Sequence, residues 1–191
     1  MISTALHFLL STIFNLLTLL FLLRFFLQIF KAPFNNPLSY MVVSLTDFAV
    51  KPARRIIPSW GRVDLSTLVL ALFTQFSLQL SLLWLRDIPI SLVGSSIWSS
   101  LIGMSFLGLF RTTLDVFFYA ILLQVILSWV NPHSPISSVL NSLTKPILAP
   151  IQRLLPTAGG MDFSPVVALI LIQMLNVSVI RTLEQQLLSL Y

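Results

Sequence analysis

One polar passage is spelled twice in this chain, each time between two long apolar stretches: TDFAVKPARRIIPSWGRVDLS from Thr46 and TKPILAPIQRLLPTAGGMDFS from Thr144. The single register shift that carries Thr46 onto Thr144 also carries Pro52 onto Pro150, Arg55 onto Arg153 and Pro58 onto Pro156. It places Gly61 on Gly159, Asp64 on Asp162 and Ser66 on Ser164. Most of these identities lie at Pro, Gly or Asp, which hydrophobic bias does not supply. The chain reads as internally duplicated, with a hairpin of apolar helices in each repeated unit.

Composition says where those helices lie. Apolar residues make up 57% of the 191 residues and charged residues 9%, against about 25% charged in a typical soluble domain. That leaves too little polar surface to clothe a water-soluble globule, so an integral membrane protein is expected. Cysteine is absent, which removes disulfides, thiol chemistry, Fe–S centres and thiolate zinc sites. The N-terminus lacks a basic n-region and a small-residue cleavage site, so its first apolar stretch is expected to remain as a helix.

A span needs about 20 residues. Residues 5–30, 65–85 and 165–183 each qualify. Residues 88–130 are harder, being almost wholly apolar with Arg111 and Asp115 inside. Length admits two spans there. The repeat favours one, because RFFLQIF (Arg24 to Phe30) ends the first helix of copy one and QVILSWV (Gln124 to Val130) ends its counterpart. The division is then a first repeat over 1–87, a Ser/Gly-rich connector over 88–103 that lies at the interface, dips in or extends the next helix outward, and a second repeat over 104–191. The expected fold is all-α: four transmembrane helices as two tandem helical hairpins, each with an interfacial amphipathic loop helix.

Charge orients it. Residues 31–64 carry Lys31, Lys51, Arg54, Arg55 and Arg62 against Asp47 and Asp64, and residues 131–162 carry Lys145 and Arg153 against Asp162, so both repeated loops are net positive. The exits at Arg86–Asp87 and Arg181–Glu184 are neutral. By the positive-inside rule the loops face the cytoplasm and both termini the periplasm, in a multi-pass protein of the inner membrane. Five spans would put two copies of one motif in opposite environments.

Within each loop, residues 38–45 read as an interfacial or shallow re-entrant piece, and Thr46 and Thr144 as N-caps of a helix that follows. Pro58 and Pro156 stop that helix, Gly61 and Gly159 permit the reversal, and Asp64 and Asp162 cap the next span. Lys51, Arg54, Arg55, Arg62, Lys145 and Arg153 are candidate contacts for anionic phospholipid headgroups or a partner. Copy two has fewer cations, so its loop is expected to lean on Ile147, Leu148, Ile151, Leu154 and Leu155. The bland alternative is that Thr46, Pro52, Pro58, Gly61, Asp64 and Ser66, with Thr144, Pro150, Pro156, Gly159, Asp162 and Ser164, are a structural motif beside ordinary topology signals.

Arg24, Gln28, Arg111, Asp115 and Gln124 are polar at membrane depth and face either a bundle interior or a path. Arg111 and Asp115, four apart, have the spacing to neutralise each other. With Gln75, Gln79, Gln173 and Asn176 they equally suit helix–helix hydrogen bonding. His7 and His133 have no partners at metal spacing. No nucleophile elbow, metalloprotease, P-loop or dinucleotide motif occurs. The reading is of a non-enzyme with no cofactor, no metal, no catalytic set and no direct nucleic-acid contact.

The passages NPLSYMVVSLTDFAVKPARRIIPSWGRVDLS and SPISSVLNSLTKPILAPIQRLLPTAGGMDFSP resemble the YggT (YlmG-like) family of small integral membrane proteins, with two family units in tandem. Carried onto this chain, the family pattern falls on Asn36, Pro37, Thr46, Pro52, Arg55, Pro58, Asp64 and Ser66. In copy two it falls on Ser134, Pro135, Thr144, Pro150, Arg153, Pro156, Asp162, Ser164 and Pro165. Ser134 departs from the Asn of copy one, and Thr67 from the Pro that follows Ser164. The resemblance implies no enzymatic activity. Its plastid relatives are tied to cytochrome b6 haem attachment and nucleoid organisation, and its bacterial relatives to division-related gene neighbourhoods and to osmotic or ionic stress tolerance. The haem role transfers poorly to a chain without cysteine or a matched axial His pair. A scaffold or assembly factor for the envelope under osmotic or ionic stress, working with a membrane-protein partner or as a homo-oligomer, is the first expectation. An oligomeric ion-flux protein, or a regulator of potassium or sodium homeostasis, is the alternative.

Overall fold

The structure, a computed structural model, describes residues 2–59, 63–85, 96–155 and 162–188. Its described residues are helical almost throughout: α1 (Ile2–Ile29), α2 (Pro37–Ile56), α3 (Leu65–Leu85), α4 (Ser96–Val130), α5 (Pro135–Leu154), α6 (Ser164–Met174), a π-helical segment Leu175–Ile180, and α7 (Arg181–Leu188). Four helical stretches are long and apolar enough to cross a membrane: Ser3–Ile29, Leu65–Leu85, Ile97–Val130 and Ser164–Leu187. The third has 34 residues and is about 50 Å long at 1.5 Å per residue, well beyond a hydrocarbon core of about 30 Å. Of the connector, residues 96–103 are continuous with α4; residues 88–95, with Arg86 and Asp87, lie outside the described residues.

The spanning helices are apolar on all sides, whereas α2 and α5 are amphipathic. Both begin with Pro at the first helical position, behind a side-chain cap, where proline costs no hydrogen bond. Asn36 Oδ1 accepts the Ser39 amide at 2.8 Å, while Ser134 Oγ accepts the Ile136 amide at a weak 3.4 Å. The caps correct one expectation. Thr46 and Thr144 do not start helices but lie inside single continuous ones, their hydroxyls donating back to Val42 O (2.6 Å) and Leu140 O (2.9 Å). The stretch 38–45 is thus the first half of α2, and the earlier Asn–Pro and Ser–Pro pairs mark the true starts. Pro52, Pro146 and Pro150 sit within these helices. α2 ends at Ile56, with the Ile57 amide closing on Ala53 O just before Pro58.

Lys31, at φ 52°, turns the chain out of α1 in the left-handed region. The Ala32 amide closes on Leu27 O at 2.9 Å and the Lys31 amide on Gln28 O at 3.3 Å, a Schellman ending. This turn folds α2 back along α1.

The core joins the two repeats. Phe21, Leu22, Val50 and Ala71 of the first pack with Val116 of the second. Leu20, Leu27 and Val42 pack with Val139 and Leu143, which sets α2 and α5 side by side at one end of the bundle. Phe26 meets Phe117 at 4.9 Å between ring centres, and both adjoin the cluster of Leu114, Ile121, Leu148, Ala168 and Ile172. Leu148 is buried there, with Ile147 and Ile151 against it. These three residues, expected to serve α5 as lipid contacts, instead face the protein, because α5 needs that face to dock on α4 and α6.

Candidate functional site: the anchored amphipathic helices and the polar cavity

Near its end, each spanning helix that leads into an amphipathic helix holds the middle of that helix through a polar side chain. In the first repeat Arg24, 6% exposed, donates from Nη1 to Thr46 Oγ1 (2.7 Å) and Asp47 Oδ1 (2.9 Å), with Val43 O at 3.4 Å. In the second, Gln124 takes Arg24's place, contacting the Thr144 hydroxyl and donating to Asn141 Oδ1 at 2.8 Å. The exchange of arginine for glutamine has an electrostatic reason. Asp47's register in copy two is held by Lys145, which would repel an arginine at 124.

A second tie closes the far end of each amphipathic helix. Nε of Arg54 donates to Asp64 Oδ2 at 3.0 Å, and its Nη2 bonds the same oxygen. At the same register Gln152 donates to Asp162 Oδ2 at 2.8 Å. Asp64 was expected to cap α3, but its carboxylate turns to Arg54, and only its backbone carbonyl serves the helix by accepting the Thr67 amide at 3.2 Å. Asp162 stands one residue before the Phe163 cap position and does accept the Ser164 amide, at 2.9 Å. Ser66 donates to Ile57 O at 2.8 Å.

The cations therefore divide. Lys51 bonds Asp47 Oδ2 at 2.8 Å while remaining 74% exposed. Arg54 is tied to Asp64. Arg55, Lys145 and Arg153 are exposed and have no partner among the described residues. Arg62, Gly61, Pro156 and Gly159 lie outside the described residues. Beside the cations runs an apolar ridge repeated in register: Phe48, Pro52 and Ile56 on α2, and Pro146, Pro150 and Leu154 on α5, all exposed. Ile56 and Leu154 are 83% and 82% exposed. Each amphipathic helix thus has three sides, one against the bundle, one apolar and open, and one charged.

Asp47 carries a pH consequence. The hydrogen bond from Lys51, followed by that from Arg24, holds its carboxyl below the usual 3.8. A carboxyl with a lowered folded-state pKa contributes stability that is present above the unfolded value and lost as pH falls through the folded one. Spin-label mobility at Ser44 should accordingly stay constant from pH 7 to about 5 and rise only below about 4, and Asp47→Asn should remove this acid step.

Deeper in the bundle the polar groups meet across helices. Gln75, 1% exposed, donates from Nε2 to Asn15 Oδ1 (3.0 Å) and Thr18 Oγ1 (3.2 Å), with Thr112 Oγ1 at 3.4 Å. Asn176 donates to Asp115 at 3.2 Å, and Arg111 pairs with Glu184 at 3.4 Å. Arg111 and Asp115 do not pair with each other as expected. Tertiary packing brings α7 and the π-helical segment alongside α4, and each finds a partner there. Gln75, Gln79, Arg111, Asp115, Tyr119 and Glu184 line a cavity of about 560 Å³. Gln173 is exposed outside it.

Gly108 is the backbone slot that admits Gln75. A Cβ there would stand 2.3 Å from Gln75 Oε1, so Gly108→Ala must push the amide off its three partners. The amide NH2 has two hydrogens to share among these acceptors; with each bond contributing about 0.6–2 kcal/mol in a membrane, offset by about 1 kcal/mol of helix propensity, the net loss should be up to about 3 kcal/mol in an unfolding titration. Gly108→Ala combined with Gln75→Ala should cost little beyond Gln75→Ala alone.

The folded chain is defined as a polytopic α-helical membrane protein with two anchored amphipathic helices. Comparison with known proteins names the family: the CCB3/YggT model matches residues 3–85 and 103–183, and the chain belongs to that family. A Pseudomonas aeruginosa relative is 39% identical over 184 residues, covering 95% of this chain and 91% of the relative. The YggT protein of Escherichia coli K12 is 37% identical over 181 residues, covering 94% and 91% respectively. A Vibrio alginolyticus relative is 36% identical over 177 residues, covering 90% and 91%. No solved structure matches the chain.

The anchors were partly legible, since Arg24, Gln28 and Gln124 stand out as polar residues in apolar runs. Asn141, which meets Gln124, was missed, as were Asn15, Thr18 and Thr112, which meet Gln75. Single small polar residues on apolar helices gave no signal of which neighbour they would meet.

Proposed function

We propose that this protein is a non-enzymatic inner-membrane scaffold or assembly factor that supports envelope function under osmotic and ionic stress. It is arranged as two helical hairpins, each with an amphipathic helix in the cytoplasmic leaflet and with both termini periplasmic. The supporting observation is the in-register ridge of Phe48, Pro52 and Ile56 and of Pro146, Pro150 and Leu154, beside the exposed cations Arg55, Lys145 and Arg153, which have no partner among the described residues. Two such helices docked side by side form a broad wedge in one leaflet, anchored to the spans, against which a membrane partner or a second copy can assemble. Anionic headgroups add about 1 kcal/mol per cation near the surface. In a deletion strain under osmotic upshift, the wild-type gene should restore growth. A Phe48→Ser, Ile56→Ser, Leu154→Ser variant, which leaves every anchor in place, should insert at normal levels and fail to restore it. Equal rescue by this variant would overturn the reading, as would reporter fusions after residues 60 and 158 placing the loops on opposite sides.

The polar cavity of Gln75, Asp115 and Glu184 favours a second reading, an oligomeric ion-flux protein or regulator of ion homeostasis. Purified protein in liposomes should pass potassium and sodium no faster than empty liposomes if the scaffold reading holds. Selective flux abolished by Asp115→Asn would establish the second reading instead.

A further inference from the structure

We propose that the first repeat, and not the second, holds a binding pocket for the phosphate of an anionic phospholipid, built between α1 and α2. It rests on the interfacial reading above only for the source of the phosphate. A cavity of about 360 Å³ is lined by Arg24, Gln28, Phe34, Val43, Arg54 and Ser59. Its polar side chains are chiefly donors. Among the described residues every bond that Arg24 makes leaves from Nη1, so the Nε and Nη2 donors of this buried guanidinium have no acceptor there. Arg54 contacts Asp64 and, at 3.4 Å, Gln28 Oε1, which leaves the Gln28 amide NH2 group uncommitted. Ser59 adds a hydroxyl. A planar guanidinium with free N–H groups, a free amide and a hydroxyl suit the oxygens of a phosphate.

Charge agrees with this. Arg24, Lys51 and Arg54 face two carboxylates, Asp47 and Asp64, so the cluster keeps a net positive charge that an anion completes. The pocket lies between the last turns of α1 and the length of amphipathic α2 from Val43 to Arg54, the level at which headgroup phosphates sit when α2 rests in the leaflet. Phe34, 42% exposed, offers an apolar edge for the glycerol and upper acyl region. The second repeat has no equivalent: Gln124, Ser128 and Gln152 occupy the registers of Arg24, Gln28 and Arg54, all neutral.

Native mass spectrometry of the delipidated full-length protein, titrated with phosphatidylglycerol, phosphatidylcholine or inorganic phosphate, tests the assignment. One phosphatidylglycerol should be retained at least about tenfold more tightly than phosphatidylcholine. Arg24→Gln, which copies the second repeat, should weaken retention about tenfold, and Arg181→Gln, at the other end of the bundle, should leave it unchanged. Because Arg24 also anchors α2, the pair Gln28→Leu with Ser59→Ala, which leaves the Arg24–Asp47 and Arg54–Asp64 ion pairs in place, should weaken it about threefold at an unaltered melting temperature. Inorganic phosphate binding with the same variant dependence, without any preference for phosphatidylglycerol, would assign the pocket to free phosphate and overturn the lipid source. Phosphatidylglycerol retention that neither the Arg24 nor the Gln28/Ser59 variant alters would overturn the site. Failure of the osmotic rescue experiment would leave this binding result intact, so the two readings fail separately.

Discussion

Replacing Arg54 by leucine should destabilise the bundle by about 3–5 kcal/mol, the cost of removing one partner from a buried ion pair. Asp64 is fully buried, and among the described residues its Oδ1 has no partner and its Oδ2 is held by Arg54 alone. Without the guanidinium the carboxylate is stranded. The reverse change should be milder, because Arg54 is 42% exposed and can turn to water. The double variant Arg54→Leu, Asp64→Leu should recover most of the loss, since it leaves no buried charge. In the second repeat Gln152→Leu should cost under about 1 kcal/mol, because Asp162 is exposed and keeps the Ser164 amide. Unfolding free energies measured by steric trapping in bicelles would check all four. A small effect for Arg54→Leu would mean that the Arg54–Asp64 pair does not hold the bundle together.

Arg24→Leu should release α2 from α1 at a cost of about 2–4 kcal/mol, from two hydrogen bonds made by a charged donor. Gln124→Leu should loosen α5 by only about 1 kcal/mol, the scale of neutral hydrogen bonds between membrane helices. The asymmetry follows from the partners. Asp47 accepts a charged bond from Arg24, whereas Gln124 meets a hydroxyl and an amide. Hydrogen exchange resolved by segment should show faster opening of residues 37–56 in the first variant and little change at 135–154 in the second. Equal opening in both helices would show that apolar docking through Val42, Val139 and Leu143, and not the anchors, sets their stability.

The sequence by itself determined the all-α membrane class and the four spans, three because apolar runs of spanning length need no partner to declare themselves and the fourth because the repeated passage favoured one helix over residues 88–130. It marked Arg24, Gln124, Asp64 and Asp162 as positions of consequence, since a polar residue in or beside such a run must be satisfied somewhere. It did not reveal where. The N-cap reading of Thr46 failed because a threonine inside a helix can bond back to its own backbone, and only the cap at Asn36 decides that the helix started earlier. Arg111 and Asp115 had the right spacing to pair, but Glu184 and Asn176 came closer once α7 and the π-helical segment packed on α4. The inward face of α5 was likewise hidden, because Ile147, Leu148 and Ile151 suit lipid and protein equally well by composition. Tertiary structure alone decided these points, since a polar or apolar side chain states what kind of neighbour it requires, while packing selects which neighbour it gets.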